Sequence, residues 1–225
     1  MPDFDINLKS VPSDSFRVAR IMADFDVKKQ HCAERIKGSI NIPEKWNIGV
    51  IVGPSGTGKT TIAKKIFPEV LFSGFDYKHQ SCIDDMPENC SVDEIERAFY
   101  SVGFGSVPSW LKPYNVLSNG EKMRVDLANA LLRYEMVAFD EFTSVVDRNV
   151  AITCCEAVEK AVRRDNKKFI AISCHYDILE YLRPDWVFDT ATMKSFFGTS
   201  LVQGGSLQCG HADEASGKNL GVITI

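Results

Sequence analysis

The chain has 225 residues, 44% of them hydrophobic and 25% charged, with a formal net charge of −4. These values fit one globular domain, or one domain with a tail, whose core is large enough to need no covalent staple. The acidic balance argues against holding nucleic acid by overall charge, although a local basic patch stays open.

Taken in order, the first residues, Met1 to Asp5, are acidic and lack the apolar centre of a signal peptide. Residues 15–21 and 35–42 alternate polar and apolar side chains and are expected to be strands of a small antiparallel region. Residues 48–52, Ile-Gly-Val-Ile-Val, form a continuous apolar run, the pattern of a buried strand. Gly53-Pro54-Ser55-Gly56-Thr57-Gly58-Lys59-Thr60 follows, and a helix is expected from near Gly58 through Thr61 until Pro68 stops it. Residues 70–72 look like a second strand, and Gly74, Pro87 and Asn89 break the segment 73–90.

Ser91 and Glu94 form a capping box before Ile95, Ala98, Phe99 and Val102 at helical spacing, and Gly103 ends that helix. After a loop with Pro108, Trp110 and Pro113, Ser118 and Glu121 form a second capping box, opening a helix with Met123, Leu127, Ala130 and Leu131 on one face. Residues 136–139 are a buried strand ending in Asp140-Glu141, and residues 149–164 a helix whose basic end suits the helix dipole better than a nucleic-acid patch. Residues 169–172 form another buried strand before Ser173-Cys174-His175, and residues 186–188 are the last clear strand. From about residue 198 the chain is rich in Gly and Ser and reads as an irregular tail, with residues 220–225 as a lone strand. Strands alternating with helices imply an α/β domain on a mostly parallel sheet, with ligands at the carboxyl ends of the strands. Cys32, Cys82, Cys90, Cys154, Cys155, Cys174 and Cys209 are odd in number and form no C-x-x-C pair, so reduced cytoplasmic thiols are expected. No apolar run approaches the length of a membrane span.

The chemistry starts at residues 53–60, which have the spacing G-x-x-x-x-G-K-T of a phosphate-binding loop between strand and helix. Glycines let the backbone turn its N–H groups inward on a polyphosphate, and the helix start adds the positive end of its dipole. Lys59 is expected to reach the β- and γ-phosphates of ATP, and Thr60 to bind Mg²⁺ through its hydroxyl, with Thr61 beside it. Asp140 at the end of an apolar strand can hold Mg²⁺, and Glu141 can orient or deprotonate the attacking water.

Leu117-Ser118-Asn119-Gly120-Glu121-Lys122-Met123-Arg124-Val125 resembles the signature motif of ATP-binding cassette (ABC) ATPases. The likeness continues through residues 127–132, Asp140-Glu141, and Ser144-Val145-Val146-Asp147, which is similar to the family's D-loop; it spans about residues 35–195. The resemblance implies a domain over residues 1–197, with a reduced helical subdomain at about 76–134. It implies that Ser118 and Gly120 of one protomer meet the γ-phosphate held by Lys59 of another, in a head-to-tail dimer with Asp147 at the interface. His175 is placed as the switch histidine and Gln80 as the Q-loop glutamine, a ligand linking Mg²⁺ to the helical subdomain. Phe25 and His31 stand as alternatives for the aromatic that stacks on adenine.

Asn119 replaces a glycine and Glu121 a glutamine, a variant closer to ABC ATPases of chromosome maintenance and DNA repair than to importers. The short interval from Lys59 to Ser118 leaves little room for a transporter docking groove. The expected function is therefore a non-transport ATPase that drives a partner protein or a nucleic-acid transaction. Residues 173–179 and 184–190 resemble compact phage and mobile-element ABC ATPases associated with acetyltransferase-like domains. The alternative is the ATP-binding subunit of a membrane transporter.

Overall fold

The computed structural model describes residues 2–9, 12–27, 33–197, 202–203, 206–208 and 222–224. Its centre is a five-stranded sheet in the order β4-β5-β3-β6-β7, built from β3 (Ile48–Val52), β4 (Met136–Phe139), β5 (Lys168–Ser173), β6 (Trp186–Asp189) and β7 (Lys194–Phe197). The first four run parallel, and β7 returns antiparallel along β6. All five residues of β3 are buried, as expected of a strand covered on both faces.

Successive residues of the strands feed two separate cores. Val50, Val52, Val137, Phe139, Phe169, Ala171 and Val187 pack on one face with α3 (Val92–Ser101), α5 (Asn119–Arg133), α6 (Arg148–Arg164) and α7 (Ile178–Leu182). Ile51, Ala138, Ile170, Ile172, Trp186 and Phe188 pack on the other with α2 (Lys59–Ile66) and an antiparallel hairpin of β1 (Asp3–Lys9) and β2 (Ala33–Ser39). A short α4 (Val107–Trp110) lies between α3 and α5. No helix among the described residues is long and apolar enough to cross a membrane.

Three local expectations need correction. Residues 15–21 are not a strand but part of α1 (Phe16–Asp24), because the Ser15 hydroxyl accepts from the Val18 amide and caps a helix start. Val18 and Met22 also fall four residues apart, so the apparent alternation masked a helical spacing. The strand that pairs with β2 is instead β1, whose Phe4 and Ile6 alternate toward the core. Residues 70–72 make only one parallel bridge, Leu71 to Ala138, because Pro68 and Gly74 bracket too short a stretch for a ladder. The strand at 186–189 is not the last of the sheet, since β7 follows it across a tight turn.

Both capping boxes form, at Ser91–Glu94 and Ser118–Glu121. In the C-terminal stretch, β8 (Val202–Gln203), β9 (Ser206–Gln208) and β10 (Val222–Thr224) pair as a three-stranded sheet, with β10 on β9 rather than alone. The intervening residues of the expected tail lie outside the described ones.

Candidate functional site at the carboxyl edge of the sheet

Residues 53–60 leave the buried end of β3 and turn directly into α2. Gly53, Gly56 and Gly58 have φ of 153°, 83° and 83°, so three glycines bend this loop where side chains would strain it. A Cβ on Gly53 would collide with the Thr190 hydroxyl, whereas one on Gly56 would meet open space. Gly58 caps α2 in a left-handed conformation, and no side chain of the described residues caps that end. The first turn of α2, carrying Lys59, Thr60 and Thr61, therefore presents backbone donors to the loop's concavity.

Lys59 is only 7% exposed. Its Nζ donates to the carbonyls of Gly53 and Pro54, 2.9 Å each, so the ammonium is held inside the loop by the loop's own backbone. Ser55 is exposed, and Thr60 and Thr61 are half-buried. The loop's chemistry fits a polyphosphate: the helix start has no side-chain cap, no carboxylate lies in the first turn of α2, and the Lys59 ammonium stands within the loop.

Strand register brings the other candidates to the same edge. Val52 of β3 pairs with Ser173 of β5, and Phe139 of β4 with Ala171 of β5. Gly53, Asp140 and Cys174 thus follow the carboxyl ends of three adjacent strands, with Asp140 two residues behind the level of the other two. The Phe142 amide donates to Ile172 O at 2.9 Å, drawing the turn after Asp140 against β5. Within that turn Glu141 and Thr143 have φ of 52° and 66°, unusual for side-chain-bearing residues. The Glu141 amide donates to Asp140 Oδ1 at 2.9 Å, and the Glu141 carboxylate is exposed. His175 is half-buried, and its amide donates to Ser173 Oγ at 3.1 Å.

Several side-chain contacts support this edge. The Thr190 hydroxyl bonds Val52 O at 3.1 Å and lies 2.6 Å from Thr57 Oγ1, tying the loop to the end of β6. Tyr176 donates to Asp189 Oδ1 at 2.9 Å, anchoring the turn after His175 to the same strand end. Arg148 pairs with Asp177, joining the start of α6 to that turn. These contacts span strands that are far apart in sequence, and no short pattern announces them.

The signature stretch sits apart, at the exposed start of α5. Ser118 Oγ accepts from the Glu121 amide at 3.3 Å, and Glu121 Oε2 accepts from the Ser118 amide at 2.9 Å. Ser109 Oγ donates to the other oxygen of Glu121 at 2.7 Å; that bond, ahead of the Ser118 amide, holds the carboxyl below its usual range. A Cβ on Gly120 would come within 2.8 Å of Val146, so glycine allows α5 to lie against the segment leading to Asp147. Asp147 itself caps α6, accepting from the Asn149 and Val150 amides at 3.0 Å.

Gln80 is exposed, in a segment closed by Asp85, which accepts from the Lys78 and His79 amides. No hydrogen bond of the described residues joins Gln80 to the edge of the sheet. Phe25, at the end of α1, is 72% exposed, and His31 lies outside the described residues.

No protein-family model matches the chain, and no curated protein matches it. Solved structures do. The dimeric bacterial ABC transporter cassette MJ0796 is similar over 69% of this chain and 87% of its own, with a TM-score of 0.53 and 16% identity. The same cassette in a post-hydrolysis state with ADP and Pi has the same values. An inward-facing ABC transporter of the metal-chelate type is similar over 75% of this chain and 78% of its own, with a TM-score of 0.55 and 14% identity. The chain has the P-loop fold of ABC ATPase cassettes.

Proposed function

We propose that the chain binds ATP with Mg²⁺ at residues 53–61, hydrolyses it, and closes as a head-to-tail dimer in each cycle. The observation that carries this reading is the buried Lys59 ammonium inside a glycine-bent loop, on the same sheet edge as Asp140, Glu141 and His175.

Lys59 turns from its carbonyl partners toward the β- and γ-phosphates, while the amides at the start of α2 hold the phosphate oxygens. Thr60 and Asp140 would hold Mg²⁺, with Gln80 as a further candidate ligand. When bound, Mg²⁺ neutralises charge on the β- and γ-phosphates. Glu141 accepts a hydrogen bond from the attacking water and orients it in line with the bond that breaks. His175 contacts the γ-phosphate, and Ser118 and Gly120 of a second protomer complete the site from the opposite side. The two sites of such a dimer are related by a two-fold axis, so each protomer gives and receives the same contacts.

The cycle serves a partner protein or a nucleic-acid transaction in the cytoplasm, a reading supported by the signature variant and by the short span between α2 and α5. On motif resemblance alone, a protein with an acetyltransferase-like domain is one such partner. One observation favours the second reading, the ATP-binding subunit of a membrane transporter: the similar solved structures named above are transporter components. Co-purification with a membrane protein, and stimulation by it rather than by DNA, decides for that reading.

The direct test is sedimentation of Glu141→Gln with and without Mg-ATP, alongside phosphate release by the parent. A nucleotide-dependent shift from monomer to dimer, with turnover lost in Glu141→Gln, is the expected result. Wild-type turnover in that variant removes the role given to Glu141, and a monomer under both conditions removes the dimer.

A further inference from the structure

Between the strand edge and the signature lies a half-buried carboxylate that the proposed chemistry does not use. Asp126, on the third turn of α5, accepts from Tyr77 Oη at 2.8 Å through one oxygen and from Tyr114 Oη at 2.8 Å through the other. The two tyrosine rings stack with centroids 3.9 Å apart and planes 12° from parallel. Asn129, one helical turn on, donates to Tyr77 Oη at 3.5 Å.

Three stretches of chain meet at this carboxylate. Tyr77 belongs to the segment that carries Gln80, Tyr114 lies four residues before Ser118, and Asp126 lies eight residues after it. The clasp continues toward β4 through rings. Tyr77 meets Phe75 edge-on at 6.2 Å, Phe75 meets Phe72 at 5.1 Å, and Phe72 stacks on Phe139 at 5.0 Å. Phe139 immediately precedes Asp140. Contiguous packed contacts thus run from the residue before the acidic pair to the residues flanking the signature.

A half-buried helix–loop contact needs no carboxylate. An apolar residue at position 126 would pack there without the desolvation that pushes the Asp126 carboxyl above its ordinary value. Burial likewise pushes the Tyr77 and Tyr114 hydroxyls up, so both remain proton donors. What the carboxyl acceptor adds is direction: two hydrogen bonds of 2.8 Å fix both tyrosines to one helix turn, where apolar packing would let them slide.

Resting on the function proposed above, we propose that Asp126, Tyr77 and Tyr114 are positioning residues. Their clasp sets Ser118 and Gly120 at the start of α5 in register with the segment of Gln80 and the end of β4. Only a protomer with that register closes on the nucleotide of its partner. The clasp touches neither nucleotide nor metal.

The test uses the full chain in a Glu141→Gln background. Tyr77→Phe/Tyr114→Phe/Asp126→Leu removes all three polar groups together and leaves rings and volume in place; Asp126→Asn keeps the shape and weakens the acceptor. Thermal unfolding, the Kd for Mg-ADP of the monomer, and the Mg-ATP-dependent dimerisation constant are measured for each. The expected result is an Mg-ADP Kd within twofold of the parent, with dimerisation weakened about tenfold in the triple variant and less in Asp126→Asn. The triple variant should have no further effect when Ser118→Ala is also present, because the clasp acts through Ser118. Equal dimerisation by parent and both variants overturns the proposal, as does a loss that tracks only the fall in unfolding temperature. A parent that binds Mg-ATP and dimerises with an indifferent clasp overturns this inference alone. A parent that neither binds nor dimerises overturns the proposed function with it.

Discussion

The phosphate-loop end and the signature end of the molecule are built in opposite ways. The loop at residues 53–60 is shaped by its own residues: three glycines set its bends, and Lys59 is held by carbonyls five and six residues before it. The start of α5 is capped locally, but its place is set from a distance, by Ser109 on Glu121, Val146 against Gly120, and two tyrosines on Asp126. One end is preorganised within a single protomer, which suits tight binding of a charged ligand. The other is an exposed surface whose geometry depends on the subdomain behind it, which suits the contact between protomers proposed above.

The most direct way to break this contrast is at Lys59. Lys59→Ala should lower phosphate release about 10²–10³-fold while leaving the fold intact, measured as turnover beside circular dichroism. A variant with parental turnover would mean that the loop's cation is structural only.

Next in size is a charge placed at the signature. Aspartate can cap a helix, but its carboxylate would stand against that of Glu121, which accepts from the Ser118 hydroxyl at 2.8 Å, so Ser118→Asp should cost up to about 2 kcal/mol and leave the chain folded. It should nevertheless abolish Mg-ATP-dependent dimerisation in the Glu141→Gln background, because a carboxylate would face phosphate. Dimerisation at the parental level would reduce Ser118 to a cap.

A smaller effect is expected at Gly53. Alanine there meets the Thr190 hydroxyl at a φ of 153°, and Gly53→Ala should cost about 2–3 kcal/mol in urea unfolding, partly recovered by Thr190→Ala. If the two substitutions add independently, the loop is not held by β6.

The smallest effect concerns Glu121. Its carboxyl titrates below its ordinary value of 4.5, first because Ser109 donates to it and then because the Ser118 amide does. The unfolded chain therefore binds the proton more readily. The stabilisation is fully present above the unfolded value and fades as pH falls through the lower folded value. Glu121→Gln should remove this acid-side loss in unfolding curves taken from pH 6 to pH 3.

Much of this was legible from local pattern. The continuous apolar runs at β3, β4 and β5 gave buried parallel strands, and both capping boxes formed where Ser and Glu stand three residues apart. Residues 15–21 misled because Phe16, Val18 and Ile21 satisfy two periods at once, and only the hydroxyl of Ser15 tips the stretch to helix. The bridge at Leu71 misled in the other direction, since three apolar residues satisfy a strand pattern without room for a ladder. Thr190, Tyr176 and the Asp126 clasp went unread because each joins residues that no spacing rule connects.

The order of residues alone determined the glycine-bent loop, the helix starts and the strands, because backbone conformation and capping are decided within a few residues. Tertiary structure decided that β3 lies between β5 and β6, which puts Gly53, Asp140 and His175 on one edge. It also decided which distant hydroxyls hold that edge and how the signature connects to it. Those outcomes depend on burying two faces of one sheet together, a condition that only the folded chain as a whole can satisfy.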